Sequence, residues 1–303
     1  MIHRLEFHAM GCKILAIVDG ILRPANLENI PLWFEEWESS LSRFRQDSEL
    51  SQLNLRAGHP VTVSQIIWDV LQVSVEAENF TGGLVNPLIL HALINAGYDQ
   101  SFDHLREDPI HFFTEYEEVI PSLRDAFTDR ASHTICIPEG AQLDFGGVAK
   151  GWAAHQAMER LKIDGPSLVN AGGDIAISGL NSDGDAWPIG IEDPFQPGSN
   201  FEILYLENGG VATSGKDYRH WFHNGRSQHH IIDPSTGKPA ETDILTATVI
   251  APTVMQAEAI AKAVMISGSQ AGLNWLDTDE TLAGFLVLEN GQRLSSRNAD
   301  KFL

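Results

Sequence analysis

The pattern of hydrophobic and polar positions predicts strands and helices that alternate along the whole chain. Apolar, β-branched runs that stop at glycine or aspartate are typical of strands, and apolar positions three and four residues apart are typical of helices. The predicted helices cover 27–41, 64–80, 152–161 and 254–267, and the predicted strands lie at 13–18, within 167–179, and at 187–191, 201–206, 246–250 and 281–288. This mixture indicates an α+β fold.

Three details sharpen this prediction. In the first helix, Leu32, Phe34, Trp37 and Leu41 are expected on the packing face. Asp47 and Ser48 precede a short helix and are interpreted as caps rather than catalysts. The irregular, acidic stretch 98–134 predicts a variable loop or hairpin.

Composition and charge narrow the class of protein. The chain has 303 residues, 43% of them hydrophobic and 20% charged, which is enough apolar material for one domain over 1–303, with two subdomains allowed. The formal net charge of -21 argues against nucleic acid as a partner, because phosphate backbones are bound by basic faces. The sequence has no run of about 18 apolar residues and no secretion signal, so no membrane span is expected. With Met1 as the natural start, the prediction is a cytoplasmic protein. Two cysteines, Cys12 and Cys136, cannot build a disulfide framework.

Two local motifs carry candidate chemistry, and each has a simpler interpretation. Residues 146–151 read GGVAKG between a predicted strand and a helix, where backbone N–H groups can bind an anion. The alternative is a glycine turn with a solvated lysine. His229 and His230 could suggest a metal pair, but adjacent residues of a strand point to opposite faces, so one histidine is expected at a site and the other away from it.

Taken together, the ordered motifs resemble the ApbE-type FAD:protein FMN transferases from about residue 7 to residue 268. The matching segments are FHAMG (7–11), SRFRQDSELSQLN (42–54), LDFGGVAKG (143–151), NAGGD (170–174), GIEDP (190–194), VATSG (211–215) and HIIDPSTG (230–237). The resemblance implies an ApbE-like, T-fold-related arrangement of mixed sheets with packed helices. It also implies that FAD is the substrate and that, with Mg²⁺, its FMN moiety moves to a threonine hydroxyl of a flavoprotein, with release of AMP. The implied acceptor is a flavoprotein with a Ser/Thr-Gly-Ala-Thr motif.

The same resemblance assigns residues to the site. Met10 and Phe44 match positions that sandwich the isoalloxazine ring, for which a thioether and an aromatic face are suitable; ordinary core packing is the alternative. His230 is the candidate base, since imidazole titrates near neutral pH, and a buried structural histidine is the alternative. The other residues assigned to the flavin nucleotide are Leu84, Val85, Asn86, Asp144, Lys150 and Ile231, the last through its backbone.

The metal-binding part of the motif departs from the family pattern. The resemblance implies Mg²⁺ ligands at the Gly147 carbonyl and on a late helix that reads Ala-Asp-x-x-x-Thr, whereas this chain has Glu258 and Lys262 at the two ligand positions. Glu258 keeps a carboxylate, but a protonated lysine has no lone pair for a metal. One interpretation is an ion pair between the two side chains. The other is that the Lys262 ammonium replaces part of the metal charge at the FAD diphosphate.

Smaller departures occur elsewhere. A family Phe-Asp-Pro-Thr run appears as VNPL at 85–88, and His155 stands where aspartate is usual. With these departures noted, the resemblance still implies an FMN transferase. The alternatives are an FAD-binding homologue without metal-dependent transfer and an FAD hydrolase, and the oligomeric state is not predicted.

Overall fold

Antiparallel strand pairing dominates this protein, whose computed structural model describes residues 1–102, 105, 119–223 and 225–303. The described residues divide into two compact units. The first unit comprises Met1–Glu36, Lys150–Gly215 and Thr242–Leu303, and the second unit comprises the described residues of Trp37–Ala149 and Lys216–Glu241.

Helices and strands are numbered in chain order. The helices are α1 (Ala25–Leu41), α2 (Glu49–Asn54), α3 (Gln65–Phe80), α4 (Leu90–Asn95), α5 (Ala149–Leu161), α6 (Val254–Ser267) and α7 (Ser269–Leu276). The strands are β1 (Ile2–Ala9), β2 (Cys12–Asp19), β3 (Val61–Thr62), β4 (Phe127–Asp129), β5 (Thr134–Cys136), β6 (Ser167–Ala171), β7 (Asp174–Ser178), β8 (Trp187–Glu192), β9 (Asn200–Leu206), β10 (Gly209–Gly215), β11 (His220–His223), β12 (Arg226–His229), β13 (Ile232–Asp233), β14 (Lys238–Pro239), β15 (Ile244–Ala251), β16 (Ala283–Leu288) and β17 (Arg293–Ser295).

The first unit is built on an eight-stranded sheet in the order β1-β2-β6-β7-β10-β15-β16-β17, with every neighbouring pair antiparallel. Helix α6 packs against β10, β15 and β7. Alanines at 257, 259, 261 and 263 of this helix are fully buried, and such small side chains let a helix lie close to a sheet. Its N-terminus is capped by Thr253, whose side chain accepts a hydrogen bond from the Gln256 N–H.

A separate apolar cluster of the first unit forms around the β8–β9 hairpin. In β8, Trp187, Ile189 and Ile191 are buried while the residues between them are exposed, which is the two-residue period of a strand with one covered face. These side chains pack with apolar residues of β7, β9, β10 and β16. The alternation explains why strand β8 could be predicted from sequence.

The second unit combines α2, α3 and α4 with short strands. Strands β3, β5 and β4 form one sheet, and β11–β12 and β13–β14 form two hairpins. Asn54, buried at the end of α2, makes two hydrogen bonds with Leu143, which is distant in sequence. Its Nδ2 donates to the Leu143 carbonyl at 2.9 Å, and its Oδ1 accepts from the Leu143 N–H at 2.7 Å. Around α4, Tyr98 and Trp221 join a second apolar cluster.

The structure confirms the α+β class and most predicted elements. Helices α1, α3 and α6 match the predicted ranges closely, and Ser48 is the α2 cap, with its hydroxyl 3.0 Å from the Ser51 N–H. The expectation for Leu32 was wrong, because this side chain is 69% exposed whereas Leu27 and Ile30 are buried. The elements that were not predicted include strand β1, the central strand β10, and helices α4 and α7. The stretch 98–134 includes β4 and the first residue of β5, which pair as a hairpin, and 103, 104 and 106–118 lie outside the described residues.

Two expectations concern the whole chain. Among the described residues, no helix is both long and apolar enough to cross a membrane. Neither Cys12 nor Cys136 forms a disulfide.

Candidate functional site

A cluster of two lysines and two carboxylates lies in the first unit, at the start of α5. The Lys150 ammonium contacts Asp174 Oδ2 and also lies 3.0 Å from Glu258 Oε1. The Lys262 ammonium lies 3.0 Å from the same Glu258 oxygen. The structure therefore brings together three residues singled out from sequence, Lys150, Glu258 and Lys262, and adds Asp174. We call these four side chains the lysine–carboxylate cluster.

A glycine turn places Asp174 in this cluster. Strands β6 and β7 are joined by Gly172 and Gly173, which have φ angles of 66° and 101°. Such left-handed conformations suit a two-residue hairpin turn and favour glycine. The Gly173 N–H is held by the Asn170 side chain at 2.8 Å. Asp174 follows as the first residue of β7, and the NAGGD motif is therefore the local sequence that delivers this carboxylate.

A close approach between α5 and α6 places Glu258. The Gly151 N–H in the first turn of α5 donates to Glu258 Oε2 at 2.9 Å. A Cβ atom at position 151 would lie only 2.7 Å from that oxygen, so glycine is required for this contact. Glu258 is fully buried, and its two oxygens accept from Gly151, Lys150 and Lys262. A buried carboxylate needs such partners to remain charged.

The four charges shift one another's titration. Burial alone would lower the pKa of Lys150, but the adjacent Asp174 and Glu258 carboxylates outweigh burial and raise it above its ordinary value. Burial, reinforced by the Glu258 charge, raises the pKa of Asp174 to about 6. Burial would also raise the pKa of Glu258, but the ammonium groups of Lys150 and Lys262 outweigh burial and lower it below its ordinary value. Burial lowers the pKa of Lys262. Lys150 and Glu258 therefore form the firmly charged centre of the cluster.

The α6 residues do not fit a Mg²⁺ site. Magnesium takes oxygen ligands in near-octahedral geometry, whereas Lys262 places an N–H donor at the second ligand position. Glu258 Oε1 already accepts from two ammonium groups. Within the described part of the chain, no group of three or more His, Cys, Asp or Glu side chains could hold a metal ion. The predicted Glu258–Lys262 ion pair is confirmed.

In the second unit, Arg43 links two residues that sequence assigned to FAD. Its Nε lies 2.7 Å from Asp144 Oδ2, and its guanidinium carbon lies 4.1 Å from the centroid of the Phe44 ring. Arg43 also donates to the Tyr98 carbonyl at 2.7 Å. Asp144 is buried and accepts from the Gly146 N–H through its other oxygen. The Phe44 ring is 41% exposed, so it keeps an accessible surface.

The segment 84–86 is held by its own amide side chain. Asn86 is buried; its Nδ2 donates to the Pro121 carbonyl and its Oδ1 accepts from the Leu88 N–H, both at 2.8 Å. Val85 is buried and Leu84 is half-buried. Asn86 therefore has a structural task in this loop beside any contact with a ligand.

The two adjacent histidines have different surroundings. His229 Nε2 lies 3.1 Å from the Ala240 carbonyl, and its Nδ1 accepts from the Ile231 N–H at 3.3 Å. Together these contacts require the neutral Nε2–H tautomer and use both ring nitrogens of His229. Ile231 is buried, and its carbonyl accepts from the Ala240 N–H. His230 follows the end of β12 and is half-buried.

The remaining predicted residues lie in turns or on α5. Met10 and Gly11 form the two-residue turn between β1 and β2, with φ angles of 51° and 65°. A left-handed methionine is uncommon, and such strained positions cluster at functional sites. Gly147 lies in the turn before α5 and is half-buried. His155 of α5 is half-buried, and burial lowers its pKa.

Sequence reasoning gave no role to Asp174 or Arg43. Asp174 ends the NAGGD segment, and Arg43 directly precedes Phe44, so both stand inside recognised motifs. What the sequence could not supply is the partner of each side chain, because both contacts join segments that are far apart along the chain, Arg43 with Asp144 and Lys150 with Asp174.

Comparisons with known proteins agree with the motif resemblance. The sequence model described as the ApbE family matches residues 10–286. A relative from Treponema pallidum (strain Nichols), named FAD:protein FMN transferase, is 32% identical over 264 residues, which is 80% of this chain and 72% of the relative. A relative of the same name from Vibrio cholerae is 30% identical over 247 residues, covering 79% of this chain and 72% of the relative.

Solved structures agree as well. The crystal structure of the ApbE protein from Thermotoga maritima has a TM-score of 0.87 at 25% identity and covers 100% of this chain and 99% of that chain. The flavin transferase ApbE from Vibrio cholerae has a TM-score of 0.81 at 25% identity, with the same coverage of 100% and 99%. The motifs, the fold and the match over residues 10–286 together show that this chain belongs to the ApbE family.

Proposed function

We propose that this chain is an FAD:protein FMN transferase, which moves FMN from FAD to a threonine hydroxyl of a flavoprotein and releases AMP. The observation that supports this most strongly is the family match over residues 10–286, together with relatives that carry this name and are at least 30% identical. An acceptor with a Ser/Thr-Gly-Ala-Thr motif is part of the proposal.

The proposed chemistry is a displacement at phosphorus. The threonine oxygen attacks the phosphorus on the FMN side of the FAD diphosphate and forms a new P–O bond. The bond from that phosphorus to the bridging oxygen breaks, and its electron pair leaves with AMP. The threonine proton passes to His230. His229 is the poorer base, because both of its ring nitrogens already contact backbone groups.

The proposed FAD-binding residues are those that the family resemblance assigns to the flavin nucleotide. Phe44 offers a partly exposed ring that packs with the Arg43 guanidinium and the Tyr98 ring, an arrangement that suits stacking against a flat heterocycle. Lys150 is a fixed cation because two carboxylates hold it charged. The full set of proposed contacts is Met10, Phe44, Leu84, Val85, Asn86, Asp144, Lys150 and Ile231. No step is assigned to Mg²⁺, since the Glu258 and Lys262 pair does not fit that ion.

The test is a transfer assay on the purified full chain. FAD and an acceptor peptide with the Ser/Thr-Gly-Ala-Thr motif are incubated with the protein, and AMP and acceptor mass are measured. We expect stoichiometric AMP and a mass gain of one FMN group on threonine. His230→Ala should slow both by about 10²- to 10⁴-fold with FAD affinity retained.

A matched control removes another histidine from the same hairpin. His220 of β11 is exposed, and His220→Ala should leave transfer unchanged. FAD binding without AMP across several acceptors would instead favour a flavin-binding homologue. AMP and free FMN with an unmodified acceptor would favour an FAD hydrolase.

A further inference from the structure

The two lysines are the more exposed members of the lysine–carboxylate cluster. The side chains of Lys150 and Lys262 are 16% and 15% exposed, whereas those of Asp174 and Glu258 are only 3% and 0% exposed. The carboxylates are therefore the more deeply buried members. A ligand that reaches the cluster meets the two lysine side chains first, although the four formal charges sum to zero.

The two ammonium groups also have donors to spare. Each has three N–H donors. Among the described residues, Lys150 uses two, for Asp174 and Glu258 Oε1. Lys262 has one strong partner, Glu258 Oε1 at 3.0 Å, and a second contact with the Glu258 carbonyl only at 3.5 Å. Both lysines can therefore donate to an additional oxygen without breaking the cluster.

Glu258 sets the spacing of this cationic pair. Both ammonium groups lie 3.0 Å from its Oε1, so one carboxylate oxygen holds them side by side. Two neighbouring cations suit two linked phosphate groups, because lysine binds phosphate as a compact point charge. A single phosphate or a neutral ligand would use this arrangement less completely.

We propose that Lys262, held beside Lys150 by Glu258, binds the diphosphate of FAD and takes the place of a divalent cation in FMN transfer. The proposal rests on the proposed function for the identity of the ligand. During the displacement, negative charge develops on the phosphoryl oxygens and on the departing AMP phosphate. Fixed positive charge at these oxygens stabilises the transition state more than the ground state.

The first test measures ligand binding, so that it does not depend on turnover. FAD affinity is measured by flavin fluorescence with a chelator present, for the wild type, Lys262→Met and Lys262→Arg, with riboflavin as the ligand that lacks a diphosphate. Lys262→Met should weaken FAD binding about tenfold or more and leave riboflavin binding unchanged. Lys262→Arg should retain FAD binding to within a few-fold. Lys162→Met removes an exposed lysine of the same unit and should have no effect.

Two binding results would overturn the proposal. One is wild-type protein that binds FAD tightly only when Mg²⁺ is added. The other is a folded Lys262→Met variant with wild-type FAD affinity in chelator. Circular dichroism checks folding, and if Lys262→Met does not fold, the wild-type comparison with and without Mg²⁺ decides the question by itself.

The second test follows transfer. Wild-type transfer should continue in chelator, and Glu258→Asp with Lys262→Thr, which restores the family ligand pair, should transfer FMN only with Mg²⁺. Wild-type transfer that requires Mg²⁺ would refute the role of Lys262 and leave the transferase function intact. If no condition gives transfer, the proposed function fails, while the binding experiment still decides whether Lys262 replaces the cation at the diphosphate.

Discussion

Replacing Lys150 with methionine would test whether the lysine–carboxylate cluster stabilises the first unit. Methionine has a similar length but no charge. Asp174 therefore loses its close cationic contact, and Lys262 is the one ammonium group left beside Glu258 among its contacts in the cluster. Both carboxylates are almost completely buried. The change therefore leaves buried negative charge that is only partly compensated.

The size of the effect follows from distance and burial. At an effective dielectric constant of about 20, two unit charges 3.0 Å apart, as for Lys150 and Glu258, attract each other by about 5–6 kcal/mol before the cost of burial. Breaking a buried ion pair by removing one partner typically costs about 3–5 kcal/mol. We therefore expect Lys150→Met to lower the free energy of unfolding by about 3–5 kcal/mol at pH 8.

The loss should be smaller at pH 5. The pKa of Asp174 is already raised to about 6, against 3.8 for an unperturbed aspartate, and removing the ammonium should raise it further. When the pKa of a carboxyl is higher in the folded state than in the unfolded state, the protein loses stability as pH rises from the unfolded-state pKa through the folded-state pKa. At pH 5, Asp174 of the variant is protonated, so the uncompensated charge is largely removed.

Urea unfolding followed by circular dichroism gives the required free energies, with an unchanged slope as the check that the same surface is exposed. Lys150→Met combined with Asp174→Asn removes one charge of each sign and should recover about 1–3 kcal/mol of the loss at pH 8. Lys162→Met, a change at an exposed ion pair, should stay within about 0.5 kcal/mol of wild type.

Two results would refute this reasoning. If Lys150→Met is as stable as the wild type at pH 8, the buried carboxylates do not depend on the ammonium. If the double variant is less stable than Lys150→Met alone, Asp174 stabilises the fold by another interaction, and the charge balance of the cluster is not what matters.

Two further substitutions test packing around the candidate site. Gly151→Ala should destabilise the protein by about 1–3 kcal/mol, because the new Cβ would lie 2.7 Å from Glu258 Oε2. Replacing glycine with alanine inside a helix normally stabilises a protein by about 0.5–1 kcal/mol, so a rise in the urea midpoint would contradict the close approach. Asn54→Ala should lower the free energy of unfolding by about 2–3 kcal/mol in the same assay, since it leaves the buried Leu143 N–H and carbonyl without their amide partners. The control Gln52→Ala changes an exposed side chain and should be nearly neutral, and equal effects of the two substitutions would argue against a stabilising Asn54–Leu143 contact.

Local patterns were enough to predict many elements. Helix α6 was predicted over the range that the structure shows, 254–267, because the run is rich in alanine, which has the highest helix propensity. Helix α3 was predicted from the helical spacing of its apolar residues, and the structure shows Ser64 as its N-cap. Strand β1 was missed because its residues alternate between exposed and half-buried, so no apolar run marks it.

Face assignment was weaker than element assignment. The buried apolar residues of α1 are Leu27, Ile30, Phe34, Trp37 and Leu41. Leu32 was expected on the same face, but it lies two positions from both Ile30 and Phe34. On a helix, two positions correspond to a rotation of about 200°, so a residue at that spacing faces away from its neighbours. A single misplaced hydrophobic residue therefore did not disturb the helix boundaries.

The candidate site shows the same division between local and distant information. The spacing of Glu258 and Lys262 on one helix was sufficient to predict their ion pair, which the structure contains at 3.0 Å. The spacing could not reveal that Lys150 and Gly151 approach the same carboxylate, because that approach depends on how two helices pack. The contact between α5 and Glu258 changes how the lysine at position 262 is interpreted. An isolated pair would only neutralise two positions that the family pattern gives to metal ligands, whereas a carboxylate that already holds Lys150 can hold a second ammonium beside it, and two neighbouring ammonium groups can serve a diphosphate.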